Sequence, residues 1–523
     1  MSRATIACLA AGLLSLVPSF AASAWAQGAG ALDPTFSGDG VVTTSISGHA
    51  DGANAVVVQP DGNVVAAGSC LTGGTNTDFC LARYLADGTL DASFGTGGMV
   101  TTPVGSGSDE ANALVLQPDG KLVAAGACFN GASYDFCLAR YDTSGNLDAS
   151  FGTGGIVSHL AGGFSAGANA LVLQPDGKLV AGGACYDSVP DLDFCVVRYD
   201  SSGNVETGYS EGAGAAIVEF DDEDDSIWAL ALQPDGKVVA AGRCGVYLEN
   251  ITVFCLARLD SEGVLDPTFG EFLGRAVTDI AADDDRAFAL VLQPDGKLVA
   301  AGGCDTDSKI DSCLARYDTA GNLDPLFGVG GTVLTDAGGI DDHDGIYSLA
   351  LQPDGKIVTA GFCDGETNIG FCLARYDASG SLDATFGTGG VVTTDINPGF
   401  DEEAFALALQ PDGKLVAAGK CDGASSSDFC LARYDGDVVT VVQYLMAQVS
   451  SNPAIPDSIA SPLQQAVKHL TDKNSRNEVA ACGGLGAALN LINAEEKNHT
   501  LGSALAADLR QAVQTARTRL SCR

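Results

Sequence analysis

The residues best placed to do chemistry in this chain are carboxylates that recur in short, dense words: Asp109-Glu110, Asp221-Asp-Glu-Asp-Asp225, Asp283-Asp-Asp285, Asp341-Asp-His-Asp344 and Asp401-Glu-Glu403. Calcium takes several hard oxygen ligands at once. Asp221, Glu223, Asp225, Asp283, Asp285, Asp341, Asp344 and Asp401 are therefore the candidate calcium ligands, and calcium is the one cofactor the sequence suggests. The same acids also fit solvated loops that keep a chain soluble. None of them completes an Asp-x-Asp-x-Asp-Gly loop. Catalytic patterns are sparse. The five histidines do not recur with any period, and the single Gly-x-Ser-x-Gly word, Gly163-Phe-Ser-Ala-Gly167, has no helix after it to make a nucleophile elbow.

Charge narrows the partners. With 66 acidic against 27 basic residues the net charge is −39, a field that repels nucleic acid and anionic membranes and favours cations. Most basic residues of the central region occupy two recurring places. One is an Arg (Arg83, Arg140, Arg198, Arg258, Arg316, Arg375, Arg433) and the other a Lys (Lys121, Lys178, Lys237, Lys297, Lys356, Lys414), so basic charge reads as scaffold. The Arg is expected to pair with a recurring Asp.

Cysteines recur as well. Cys70/Cys80, Cys128/Cys137, Cys185/Cys195, Cys244/Cys255, Cys304/Cys313, Cys363/Cys372 and Cys421/Cys430 form one pair per unit, and Cys482 and Cys522 form another near the end. No matching histidines complete a zinc set, and in an exported chain the pairs read as disulfides. Each pair in the repeats is expected to flank a loop and pin it.

The elements that must carry these residues follow from one word. Gln-Pro-Asp-Gly begins at Gln59, Gln117, Gln174, Gln233, Gln293, Gln352 and Gln410, a period near sixty residues copied seven times. Within a unit, strands are predicted over Asn112 to Leu116, Lys121 to Ala127, Phe136 to Tyr141 and Gly155 to Ser158, the first and second joined by the Asp-Gly turn, the second and third by the cysteine-flanked loop, and the fourth reached through Asp142 to Gly154. Four short antiparallel strands per unit predict an all-β, seven-bladed β-propeller. The opening words Leu32-Asp-Pro-Thr-Phe36 and Val41-Val-Thr-Thr44 match the ending that the last unit lacks, so the N-terminal strand should close the seventh blade. Alternating strands put the Asp-Gly turns on one face, and the cysteine loops and blade links on the other. The second face varies between units and is the expected binding face.

The unit Leu-Asp-x-x-Phe-Gly, Gly-x-Val-x-Thr, Leu-Gln-Pro-Asp-Gly-Lys-Leu-Val-x-Ala-Gly, Phe-x-Leu-Ala-Arg-Tyr-Asp, over residues 31 to 440, resembles the delta-sixty repeat of large secreted bacterial proteins. The resemblance implies a propeller and no particular activity. Val205-Glu-Thr-Gly-Tyr209 departs from it, where Leu-Asp-x-x-Phe is expected.

Outside the repeats, residues 1–26 read as a secretory signal cut near Ala26, 27–440 as the propeller and 441–523 as a small helical bundle. Helices are predicted near Val438 to Gln448, Pro462 to Leu470, Asn477 to Glu495 and Gly502 to Leu520. The stretch from Ala488 to Val513 weakly resembles the FIMAH helical domain, and an unrelated bundle fits it equally well. Two functions are compatible with these residues. One is a secreted or periplasmic, monomeric binding module for extracellular protein or glycan, without membrane insertion. The other is a calcium-dependent hydrolase or lactonase with a metal near the axis.

Overall fold

The computed structural model describes residues 28–436 apart from 164, 187–190, 211–213, 221–222, 247–250, 282, 307–308, 338–342 and 366–367; beyond them it describes 446, 457–471, 477–498 and scattered positions between 501 and 522. The expected signal at 1–26 lies outside the described residues.

Seven four-stranded antiparallel sheets form the blades of a propeller. Blade two is typical: strands Asp109–Leu116, Leu122–Phe129, Tyr134–Tyr141 and Ile156–His159 pair in sequence order. The first two strands turn at Gln117-Pro-Asp-Gly, where the Gly120 amide donates to the Gln117 carbonyl at 2.9 Å. Gly120 has φ +85°, a conformation that a side chain resists, and this is why the turn keeps its glycine. The first strand starts three residues before the predicted boundary because Asp109 belongs to the ladder, opposite Cys128.

Each first strand carries a bulge. In blade two the register slips between Ala111 and Ala113, which leaves Asn112 unpaired. Across from the bulge stands Gly126, where a Cβ would sit 1.7 Å from the Glu110 carbonyl oxygen. Only glycine allows that approach, so the recurring glycine inside the second strand and the bulge opposite it are one device.

Blades are tied to each other by the recurring cations. Arg83, Arg140, Arg198, Arg258, Arg316 and Arg375 each form an ion pair with the acid of the following connector and Arg433 with Asp33 of the N-terminal segment, and each guanidinium lies over an aromatic ring. A further nitrogen reaches the next blade, as when Arg83 Nη1 donates to the Thr143 carbonyl at 2.6 Å. The expected Arg–Asp pairing is thus present. The departure at Val205-Glu-Thr-Gly-Tyr209 keeps its chemistry, with Glu206 2.5 Å from Arg198 Nε and the Tyr209 ring 4.4 Å beneath the guanidinium.

The ring closes through the chain ends. Val41–Thr44 pairs antiparallel with Ser427–Tyr434 and becomes the outer strand of blade seven.

All sixteen cysteines after Cys8 are joined in the predicted pairs: Cys70–Cys80, Cys128–Cys137, Cys185–Cys195, Cys244–Cys255, Cys304–Cys313, Cys363–Cys372 and Cys421–Cys430 in the blades, and Cys482–Cys522 beyond them. Such a set of bridges suits an oxidising environment. Each blade bridge encloses the turn between its two cysteines, and the strands reach further toward that turn than predicted. In blade two the second strand runs on through Cys128 to Phe129 and the third begins at Tyr134, so the ladder extends past both cysteines. Cys128 faces Asp135 and Cys137 faces Gly126, so the bridge crosses the hairpin diagonally between positions that share a face. The other blades repeat this. Cys80, Cys195, Cys255, Cys313, Cys372 and Cys430 each lie inside a third strand, opposite Gly68, Gly183, Gly242, Gly302, Gly361 and Gly419 respectively. All six are buried, and each pairs on its other side with a residue of the fourth strand.

Beyond the propeller, helices α1 (Asp457–Thr471) and α2 (Asn477–Lys497) pack together. Ile459, Leu463 and Ala466 meet Ala481, Leu485, Ala488 and Ile492, with Leu509 and Val513 completing the core. The helix predicted at Val438 to Gln448 lies outside the described residues except at Met446, and the one at Gly502 to Leu520 is described only in part. Among the described residues, no helix is long and apolar enough to cross a membrane.

Candidate functional site: the axial collar

The candidate calcium ligands are distributed among separate blade junctions. Asp225, Asp285 and Asp344 are fully buried at the starts of three different blades, with Asp51, Asp109 and Glu402 at the equivalent place in three others. Each turns back to cap the amides of its own link. Asp285 accepts from Ile280 and Ala281, and Asp225 accepts from Phe220 at 2.9 Å and from Gly245. Removal from water raises three of them: burial holds Asp225 at about 8, Glu402 at about 7 and Asp285 at about 6. Asp283 and Asp401 are exposed, Glu223 is half-buried, and Asp221 and Asp341 lie outside the described residues.

Among the described residues one carboxylate group is tight enough for a cation. Asp311, Asp336 and Asp344 have ligand atoms within 4.8 Å of one another, and Asp344 is the only predicted ligand in it. The Lys309 ammonium already stands there, 3.3 Å from Asp311 and 3.1 Å from Asp336. The Gly-x-Ser-x-Gly word runs into the strand Ala166–Leu173, as its lack of a following helix predicts.

The bulges build a different site. Their unpaired residues are Asn54, Asn112, Asn169, Trp228, Phe288, Tyr347 and Phe405, one per blade, and together they form a collar around the axis. Each first strand neighbours the next around the ring, and blade seven meets blade one. The collar has two halves. In the amide half, Asn54 donates to the Ala111 carbonyl at 3.1 Å, Asn112 to Ala168 at 3.0 Å and Asn169 to Ile227 at 2.9 Å. Each bond satisfies a carbonyl beside the next bulge.

In the other half, rings replace the amides. Trp228 and Phe288 have centroids 5.4 Å apart, Phe288 and Tyr347 5.3 Å, and Tyr347 and Phe405 5.1 Å, all tilted or edge-on. Phe362 adds a fifth ring 5.6 Å from Tyr347. Four blades thus give up an inter-blade hydrogen bond in favour of an aromatic arc. Trp228 is 38% exposed, an unusual position for the largest apolar side chain.

One step toward the link face stand the polar groups of the collar. They include Arg243 and Arg286 in blades four and five, and Glu403 and Lys420 in blade seven. Burial raises the Glu403 carboxyl against the opposing pull of Lys420, and burial likewise pushes up the Tyr347 hydroxyl beside it. Sequence reasoning missed this site. The available signal was one column that changes from Asn to aromatic between blades three and four while its neighbours are mostly alanine.

A separate cleft of about 810 Å³ lies along the strand Val391–Thr394 and the segment Gly28 to Ala31, at the outer edge of blade six, away from the collar.

The family described as domain of unknown function (DUF5122) beta-propeller matches residues 59–94, 117–151, 174–209, 233–269, 293–327, 352–386 and 410–437. This chain belongs to that family. The matched DUF5122 segments run from each Gln-Pro-Asp-Gly turn to the connector aromatic or, in the last repeat, to residue 437. A WD40 G-beta repeat also matches residues 40–74. No curated protein matches the chain. Among solved structures it is similar to a virginiamycin B lyase from Staphylococcus aureus crystallised with quinupristin (11% identity, 75% of this chain and 98% of that one, TM-score 0.42). It is also similar to the polysaccharide lyase Uly1 (13%, 75% and 91%, TM-score 0.44) and to Chaetomium thermophilum Sqt1 bound to the N-terminus of ribosomal protein L10 (13%, 75% and 98%, TM-score 0.41).

Proposed function

We propose that this DUF5122 propeller is an exported, monomeric binding module, secreted or periplasmic, whose axial collar takes a carbohydrate. The observation that carries the reading is the arc of Trp228, Phe288, Tyr347 and Phe405 facing a run of asparagine amides. Flat rings stack on the C–H faces of sugars, and amides both donate to and accept from hydroxyls. A mostly apolar concave wall with a few fixed polar groups is the usual form of a small-ligand site. The collar is held by strands and not by loops, which lowers the ordering cost of binding.

The chain has two tryptophans, Trp25 and Trp228, so removal of the leader leaves Trp228 as the sole indole. Its fluorescence is therefore a direct reporter of the collar. Titration with cell-wall oligosaccharides should shift or quench that emission in the native protein, and Trp228→Ala, followed by calorimetric titration, should bind about tenfold more weakly. Binding undiminished in the variant would remove the collar from the reading, and a peptide as the only ligand would make the module a protein binder. The calcium-dependent hydrolase reading draws support only from the Asp311, Asp336 and Asp344 group. Calorimetry that finds no calcium binding would eliminate it.

A further inference from the structure

We infer that the carbohydrate bound at the collar is an acidic one, whose carboxylate is received by Arg243 and Arg286; this rests on the carbohydrate reading above. The second strand of each blade packs on the first strand of the next. At the level just above the bulges, this brings together a fixed pair of positions at every junction. Lys420 lies over Gly52 between blades seven and one, and Ala127 over Gly167 between blades two and three, where an added glycine Cβ would stand 3.6 and 3.2 Å from the facing Cβ. Between blades four and five the same two positions are Arg243 and Arg286. Two guanidiniums are thus set at one junction, directly above Trp228 and Phe288, the start of the aromatic arc.

These two cations stand outside the recurring arginine column. The seven recurring arginines each hold an ion pair with a connector acid, in six cases within their own blade. Arg286 shares only Nη2 with Asp284, at 3.0 Å, and its buried Nε has no hydrogen-bond partner. Arg243 has no ion-pair partner among the described residues, and its Nε is also buried without a hydrogen-bond partner. A planar carboxylate seated between them would meet forked donors that the protein leaves unused. Folding a chain of net charge −39 with two adjacent, under-used cations in its centre is explained by an anionic ligand. The surrounding negative field fades within a Debye length of about 8–10 Å, so contact chemistry governs a short, sparsely charged sugar while a dense polyanion is repelled.

Trigalacturonate and its fully methyl-esterified form are the probes, since they share a ring skeleton and differ in charge. The acid should quench Trp228 with an affinity about tenfold or more above the ester, the scale of a lost charge-assisted hydrogen bond. Arg243→Gln, which breaks no ion pair described in the protein, should erase that preference, so that acid and ester bind the variant equally. Equal affinity of the native protein for acid and ester, or an unchanged preference in Arg243→Gln, overturns the acidic-sugar inference and leaves the carbohydrate reading standing. Silence of Trp228 toward both probes and toward neutral oligosaccharides overturns both.

Discussion

Arg433 donates from Nε to Asp33 at 2.7 Å across 400 residues of sequence. The same pair in other blades spans only eight residues, as in Arg140 and Asp148. A local ion pair in six blades therefore becomes the lock of the ring in the seventh, reinforced by Lys414 on the same carboxylate. Burial works against ionisation of Asp33, yet Lys414, Thr35 and Arg433 bring it down to about 2. Its stabilising contribution is complete above the ordinary carboxylate range and is lost as pH falls through about 2.

Asp33→Ala leaves two cations facing a buried gap and should cost about 3–5 kcal/mol. Asp148→Ala should cost a similar amount without opening the ring. Limited proteolysis separates them: only the Asp33 variant should be cut ahead of Val41. Equal resistance in both variants would show that strand pairing alone holds the seam.

The buried link carboxylates make stability fall as pH rises. Asp225 and Asp285 have native values of about 8 and about 6, and Glu402 of about 7, all above the ordinary range for a carboxyl. A raised native value means that the folded state binds the proton more tightly, so the penalty is absent below about pH 4, grows through neutrality and is complete above the native values. Asp225→Asn should gain stability relative to the native protein between pH 5 and about pH 9, followed as a difference in urea midpoint. A difference that does not vary with pH would mean that this carboxyl titrates normally.

Replacing Cys128 and Cys137 by serine removes a bridge that closes a short hairpin, and should cost about 2–3 kcal/mol on the chain-entropy account. The urea midpoint should fall with an unchanged slope. No fall would mean that the hairpin register already restrains the unfolded chain.

Trp228→Asn tests the trade made in the collar. By register its amide would donate to the Ala287 carbonyl, as Asn169 does to Ile227. The variant should lose glycan binding and yet keep or gain about 0.5–1 kcal/mol in stability, because a bond is made and an exposed ring is lost. Thermal unfolding alongside the fluorescence-independent readout of calorimetric titration checks both halves. A clear loss of stability would make Trp228 a packing residue.

The blades were legible because their cause is local and repeated: Asp-Gly turns, glycine opposite a bulge, and one Arg with its acid and its aromatic ring. The cysteine partners were legible for the same reason, but their place in the ladder was not. Cys128 reads as a loop edge until the strand register carries the second strand through it to Phe129 and sets it opposite Asp135. The collar was hidden because a bulge breaks the alternation by which inward and outward residues are told apart. Asn112 reads as the polar edge of a strand, and only the slip between Ala111 and Ala113 turns it to the axis. The acids were misplaced for a related reason. Asp285 and Asp344 belong to words that look like solvated loops, and burial against link amides is a tertiary fact that composition does not carry.

The bridges and the seam together imply an order of assembly. Each propeller disulfide joins cysteines 9 to 11 residues apart, so oxidation can finish one hairpin at a time as the polypeptide emerges, with no partner still to arrive. Val41–Thr44 is in the opposite situation, since its neighbour Ser427–Tyr434 is made last. The earliest strand to be synthesised is the last to find its place. A nascent chain therefore carries an unmatched sheet edge throughout its production, and interlocking of two unfinished rings is the error against which this molecule has to be protected.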